Sequence, residues 1–195
     1  MQQKIPVTSY ARFSYPPGGI LIWIIVLLEL ITFGIGLIGF FYVGGEHKEM
    51  FHQASTHLSP LWGAINTMVL LTAGFFMVKS SHNFKAKDFP KTISWMSLAM
   101  IGGLLFMAIK GVEYYSKIQA GISLNENLFF NFYWALTFFH LIHVLVALVI
   151  LMVFYIKLKR NPSSLDELDF MAGAAFWHMC DLIWLFIFPA LYLVY

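Results

Sequence analysis

Five ionisable residues lie inside long apolar runs: Glu29, His140, His143, His178 and Asp181. A carboxylate near the centre of a bilayer costs roughly 2.5–3.5 kcal/mol on insertion scales, so such groups face a protein interior or another subunit. His140 and His143 stand three residues apart, and His178 and Asp181 repeat that spacing. On a helix each pair shares a face. A carboxylate that accepts a hydrogen bond from an imidazole stabilises both groups. The five therefore read as one buried polar cluster, and three chemistries compete for it. The plainest is a satisfied network that fixes helix packing. The second is a proton relay. The third is a metal or haem site, since two histidines and a carboxylate form a ligand set. The zinc-protease HExxH pattern is absent.

Other groups carry weaker signals. Lys110 and Glu113 are three apart near one end of a run and read as an interfacial salt bridge, with the lysine snorkelling towards water. Residues 46–57 hold Glu46, His47, Glu49, His52 and His57, which read as a solvated loop with metal binding as the lesser option. Trp177 and Trp184 are seven apart and suit packing against a neighbour. Cys180 is the single cysteine, so neither an intrachain disulfide nor a CxxC site can form.

These residues must be positioned by membrane-spanning helices. Of 195 residues, 59% are hydrophobic and only 11% charged, against roughly 25% charged in soluble domains. Mean hydropathy is +0.74. That excludes disorder and a soluble globule, and a net charge of +2 gives no sign of nucleic-acid binding. A span needs about 20 mostly apolar residues. Five runs qualify, giving helices at about 20–43, 58–79, 92–115, 128–157 and 170–194. The runs are continuous rather than alternating, which excludes a β-barrel. The first is too long for a signal core and holds Glu29, so no cleavage is expected there. Pro16, Pro60, Pro90 and Pro162 fall near helix ends, whereas Pro189 sits inside the last run and predicts a kink. Gly34, Gly36 and Gly39 in the first run, and Gly102 and Gly103 in the third, suit close helix packing.

The loops set an orientation. Lys4, Arg12, Lys79, Lys85, Lys87, Lys91, Lys157, Lys159 and Arg160 lie on one side, and Lys48, Lys110 and Lys117 on the other. Nine against three predicts a cytoplasmic N-terminus and an external C-terminus. The expectation is an all-α, five-helix transmembrane bundle forming a single domain over residues 1–195. No internal repeat is present, which disfavours a small-solute transporter.

The order of these motifs resembles subunit III of the haem-copper oxidases. The fourth span reads LTFFHLIHVLVALVIL and the fifth FWHMCDLIWLFIFPALYL, similar to that family's HxxHV and WHxxDxxW segments. WIIVLLELITFGIGLIGFF, INTMVLLTAG and GLLFMAIKGVEYYSKIQAGI resemble its remaining helices. Within the family the chain looks most like the short NorE branch associated with nitric oxide reductases, by its PPGG start, EYYSKIQAGIS segment and FP-LYL ending. The resemblance implies a non-catalytic accessory subunit in a bacterial inner membrane, with no cofactor of its own. It would pack beside a catalytic subunit that carries haem, with or without copper, and support its assembly, stability and proton uptake. The catalytic subunit would reduce either oxygen or nitric oxide. The resemblance also pairs Glu29 with His143 or His140. Longer members carry two further N-terminal helices and hold phospholipid in the cleft beside them, so phospholipid is a candidate ligand. Phe138, Leu141 and Ala147 stand where the family's HxxH helix has glycines. The competing expectation is a free-standing membrane metal- or haem-binding protein using His140, His143 and His178.

Overall fold

A computed structural model describes residues 17–122, 124 and 126–195. Lys4, Arg12 and Pro16 lie outside them. The described residues form six α-helices and one short 3-10 turn, with no strand. They are α1 (Gly19–Glu46), α2 (Lys48–Ser55), α3 (Pro60–Lys85), α4 (Phe89–Gln119), α5 (Leu128–Arg160) and α6 (Glu167–Tyr192). All but α2 are long and apolar enough to cross a membrane.

The sequence marks the helix starts. Pro60 and Pro90 sit in the first turns of α3 and α4, where a missing N–H costs nothing. Asp88 and Asn127 cap α4 and α5 by accepting from the amides of Lys91 and Phe130. Gly18 precedes α1 with φ of +83°, and a Cβ there would lie 2.7 Å from the backbone of Ala172 on α6. Glycine is therefore needed for both conformation and closeness. The long helices run one to two turns past the apolar runs at several ends, because polar residues continue a helix once it is nucleated. Around Pro189, α6 continues to Tyr192.

The loop expected at 46–57 is instead mostly helix. Phe51 of α2 is fully buried and packs on Phe40, Phe129 and Tyr195. The Ser55 hydroxyl donates to the Tyr195 carbonyl at 2.7 Å. Eight residues of mixed polarity hold as a helix because that one aromatic anchors them.

Helix α6 has the most buried span and α1 the least. α6 packs against α3, α5 and α1, and α4 fits between α3 and α5. At one end the rings of Phe84 and Phe170 stack with centroids 4.1 Å apart. The Ser80 hydroxyl bonds the Thr92 carbonyl across the α3–α4 turn. Of the five glycines expected at helix contacts, Gly36, Gly102 and Gly103 fill that position. A Cβ on them would meet Leu136, Ala73 and Trp177 at 2.8, 2.6 and 2.6 Å. Gly39 has ordinary clearance from Phe132, at 3.5 Å. Among the described residues, a Cβ on Gly34 would meet no neighbouring atom within 4 Å.

Candidate functional site: a polar axis through the bundle

The five groups do not meet at one point, and only His140, His143 and Asp181 are buried, with Glu29 and His178 partly exposed. Two helical residues three apart point about 60° away from each other at 100° per residue, and that angle separates the two histidines of α5. His143 turns to α1, where its Nε2 lies 3.1 Å from Glu29 Oε2. His143 Nδ1 lies 2.8 Å from the Phe139 carbonyl. A carbonyl only accepts, so Nδ1 carries a proton. The Glu29 contact sets a carboxyl oxygen against the other ring nitrogen. The contact is off the direction of a good hydrogen bond, and Oε2 makes no other.

His140 turns inward. It is completely buried, its ring stacks on Trp184 at 5.2 Å, and Phe106 meets it edge-on at 5.7 Å. Neither ring nitrogen has a hydrogen-bond partner. On α6, His178 Nδ1 lies 3.3 Å from Asp181 Oδ2. Asp181 is buried against Gly74 of α3, where a Cβ would come within 2.3 Å of Oδ2. Its other oxygen, Oδ1, has no partner.

One turn along α6 from Asp181, the Trp184 indole donates to the Thr67 hydroxyl at 2.9 Å. Thr67 in turn donates to the Gly63 carbonyl. Its neighbour Asn66 is fully buried with both amide atoms unpartnered. Further along is a densely bonded group. Lys110 does not snorkel: it is 1% exposed. Its Nζ lies 3.1 Å from Glu113 Oε2 and donates to the Tyr192 hydroxyl at 2.9 Å. The rings of Tyr114, Tyr133, Trp184 and Tyr192 surround the ammonium at 5.0–5.6 Å. Tyr133 and Tyr192 both donate to Glu113 Oε1, at 2.7 and 2.5 Å. Tyr114 extends the group by donating to Thr137. The inward turn has a physical cause. A ring of aromatic faces and a paired carboxylate replaces water for the lysine.

Asp181, Trp184 and Tyr192 thus form one inward stripe of α6, at spacings of three and eight. Sequence reasoning singled out only its first two members. Tyr133, Tyr192, Thr67 and Gly74 were missed, and the one available signal was that polar-capable residues recur along α6 at helical spacing.

The three histidines are not brought together. Among the described residues no three His, Cys, Asp or Glu side chains come together as a ligand set. His143 faces α1, His140 an aromatic sandwich, and His178 is committed to Asp181. Residues 46–57 likewise bring no such trio together.

Comparison with known proteins covers most of this axis. A family model described as cytochrome c oxidase subunit III matches residues 56–194. The match takes in α3 to α6, and with them His140, His143, His178, Asp181, Lys110 and Glu113. Glu29 on α1 lies outside it. Among curated proteins, the chain is 29% identical over 129 residues to cytochrome c oxidase subunit 3 of Rhipicephalus sanguineus, covering 66% of this chain and 49% of that protein. It is also 29% identical to the subunit 3 of Pelomedusa subrufa, covering 66% of this chain and 48% of that one. It is 26% identical to a probable cytochrome c oxidase subunit 3 of Rickettsia conorii, covering 66% and 46%. The chain spans about half the length of these relatives. With the matched region holding both α5 and α6 and the buried pairs they carry, this membrane protein belongs to the cytochrome c oxidase subunit III family.

Proposed function

We propose that the chain is a non-catalytic accessory subunit of a haem-copper respiratory complex, supporting the assembly, stability and proton uptake of a haem-bearing catalytic subunit. It carries no electrons. It sits in a bacterial inner membrane with the N-terminus cytoplasmic and the C-terminus outside. Within the family we place it in the NorE branch, beside a nitric oxide reductase, with a terminal oxidase as the other partner type.

The observation that carries this reading is the family match across α3–α6, together with the Glu29–His143 contact that ties α1 to the matched region. That contact joins two ionisable side chains inside the spans, the kind of group that a proton-linked role requires. The orientation rests on the basic residues of the turns at 79–91 and 157–160.

The test is affinity purification of the chain from gently solubilised membranes. A haem-containing subunit should co-purify and give a reduced-minus-oxidised absorption band. Recovery of the chain without haem protein sinks the assignment. The co-purified complex then decides the branch by whether it consumes nitric oxide or oxygen. Cysteine accessibility at position 48 against position 157 decides the orientation.

A further inference from the structure

His178 differs from its neighbours on the polar axis in facing outwards. It stands within about 2 Å of the midpoint of α6 at 1.5 Å per residue, near mid-depth in a bilayer that the helix spans. Its side chain is nonetheless 38% exposed. Nδ1 faces Asp181, whereas Nε2 meets no hydrogen-bonding partner among the described residues and is open to the outside of the bundle. Lipid tails offer a ring nitrogen nothing to bond, and an unmet polar group in hydrocarbon is costly. An imidazole is too short to reach an interface about 15 Å away. Ionisable side chains within spans face a protein interior or a water-filled cavity. A half-open histidine at this depth therefore marks a surface that another protein covers.

The surroundings suit a helix. On α6, Ala175 lies three residues before His178, and the exposed Leu182 and Leu185 follow it along the same outward stripe. On α3, Thr67 and Gly74 touch α6, and the exposed Leu71 and Val78 come one turn after each of them. These residues form an apolar face with one polar atom among them. The small Ala175 lets a neighbouring backbone come close. The face lies within residues 56–194, the part matched by the family model, whereas the sparsely buried α1 lies outside it. A partner shared across the family is best met by a surface shared across the family.

We propose that the α3–α6 face around His178 is where the haem-bearing catalytic subunit docks, one of its spanning helices setting a hydroxyl or carboxamide against Nε2. Such groups both donate and accept, so they serve the nitrogen with or without its proton. This rests on the accessory-subunit reading and adds to it the face that meets the partner.

The test uses the complex from gently solubilised membranes. A photoreactive benzophenone side chain at position 182 should join the chain to the haem-bearing subunit on illumination, the product being identified by mass spectrometry. The same group at position 27, where Leu27 is exposed on α1, should not. His178→Phe keeps a ring and removes Nε2. It should lower the haem recovered per folded chain about threefold, the equivalent of the roughly 0.6 kcal/mol of one interhelical hydrogen bond in a membrane. Leu182→Trp crowds the face without touching the His178–Asp181 pair and should lower recovery further, and Leu27→Trp should leave it unchanged. If the haem subunit co-purifies but is not captured from position 182, or is captured equally from position 27, the face is wrong and the accessory reading stands. Recovery unchanged by His178→Phe or by Leu182→Trp overturns the face in the same way, as does a position-182 product joining two copies of this chain. If no haem subunit co-purifies with the unaltered chain, the accessory reading fails and the face with it.

Discussion

The two ends of the polar axis differ in how completely their atoms are satisfied. Around Lys110, every charged atom has a partner: the ammonium meets a carboxylate, a hydroxyl and four ring faces, and both oxygens of Glu113 are bonded. In the middle of the bundle the reverse holds. Glu29 Oε2, both nitrogens of His140, both polar atoms of Asn66 and Asp181 Oδ1 are buried without hydrogen bonds. A saturated cluster holds one arrangement, because any change strands a charge. A sparsely satisfied one carries polar atoms whose burial is a standing cost until each finds a partner. The first region is locked by its own bonds and the second is not.

The sharpest way to break this contrast is at Glu113. Glu113→Ala should cost about 3–5 kcal/mol, because it leaves Lys110 buried without its counter-charge. Thermal unfolding in detergent followed by circular dichroism would show it. The double variant Lys110→Met with Glu113→Gln should be more stable than the sum of the two singles by about 0.5–3 kcal/mol. Strict additivity would mean that the cluster is not one unit. The next effect is at the junction of the two regions. Thr67→Val removes the acceptor of the Trp184 indole and should cost about 1–3 kcal/mol by leaving a buried donor unmet. Smaller still in stability is Glu29→Gln, at under about 1 kcal/mol, since the carboxyl is a quarter exposed and its one contact is poorly directed. Its consequence should appear in the purified complex as slower turnover or faster inactivation with assembly intact. Unchanged kinetics would make the middle region as inert as the other.

The smallest effect is outside the spans, at Asp88. Its hydrogen bonds to Lys91 hold this exposed carboxyl below the ordinary value. A depressed acid stabilises the fold above the ordinary carboxylate range, and that contribution is lost as pH falls through the depressed value. Asp88→Ala should therefore lower the melting temperature slightly at pH 7 and erase the difference from the unaltered chain at strongly acid pH.

The five spans were legible because a membrane demands some 20 apolar residues in a row, and nothing subtler is needed to see them. Glu29 and His143 could be paired through the resemblance, since the motif carried the partner with it. What stayed hidden depended on three-dimensional neighbours. Lys110 reads as a snorkelling residue until Tyr133 and Tyr192, 23 and 82 residues away, close over it. α2 is eight residues of mixed polarity whose helix rests on the burial of Phe51. His140 and His143 share a motif yet face different helices, because spacing gives an angle and not a destination. Gly74 passes for any small residue until Asp181 is seen against it.

The Lys110 cage also has a history within each molecule. Tyr133 follows Lys110 by 23 residues and Tyr192 by 82. At roughly 5–20 residues per second, the ribosome delivers the first tyrosine after roughly 1–5 s and the second after roughly 4–16 s. Throughout that interval α4 is present with Lys110 and Glu113, while the helix that completes their enclosure is still unmade. Until α6 arrives the ammonium lacks the Tyr192 hydroxyl and the Trp184 ring that complete its cage. Of the six described helices the last to be made is thus the one that closes the cage, and a chain stalled before it leaves a half-enclosed charge.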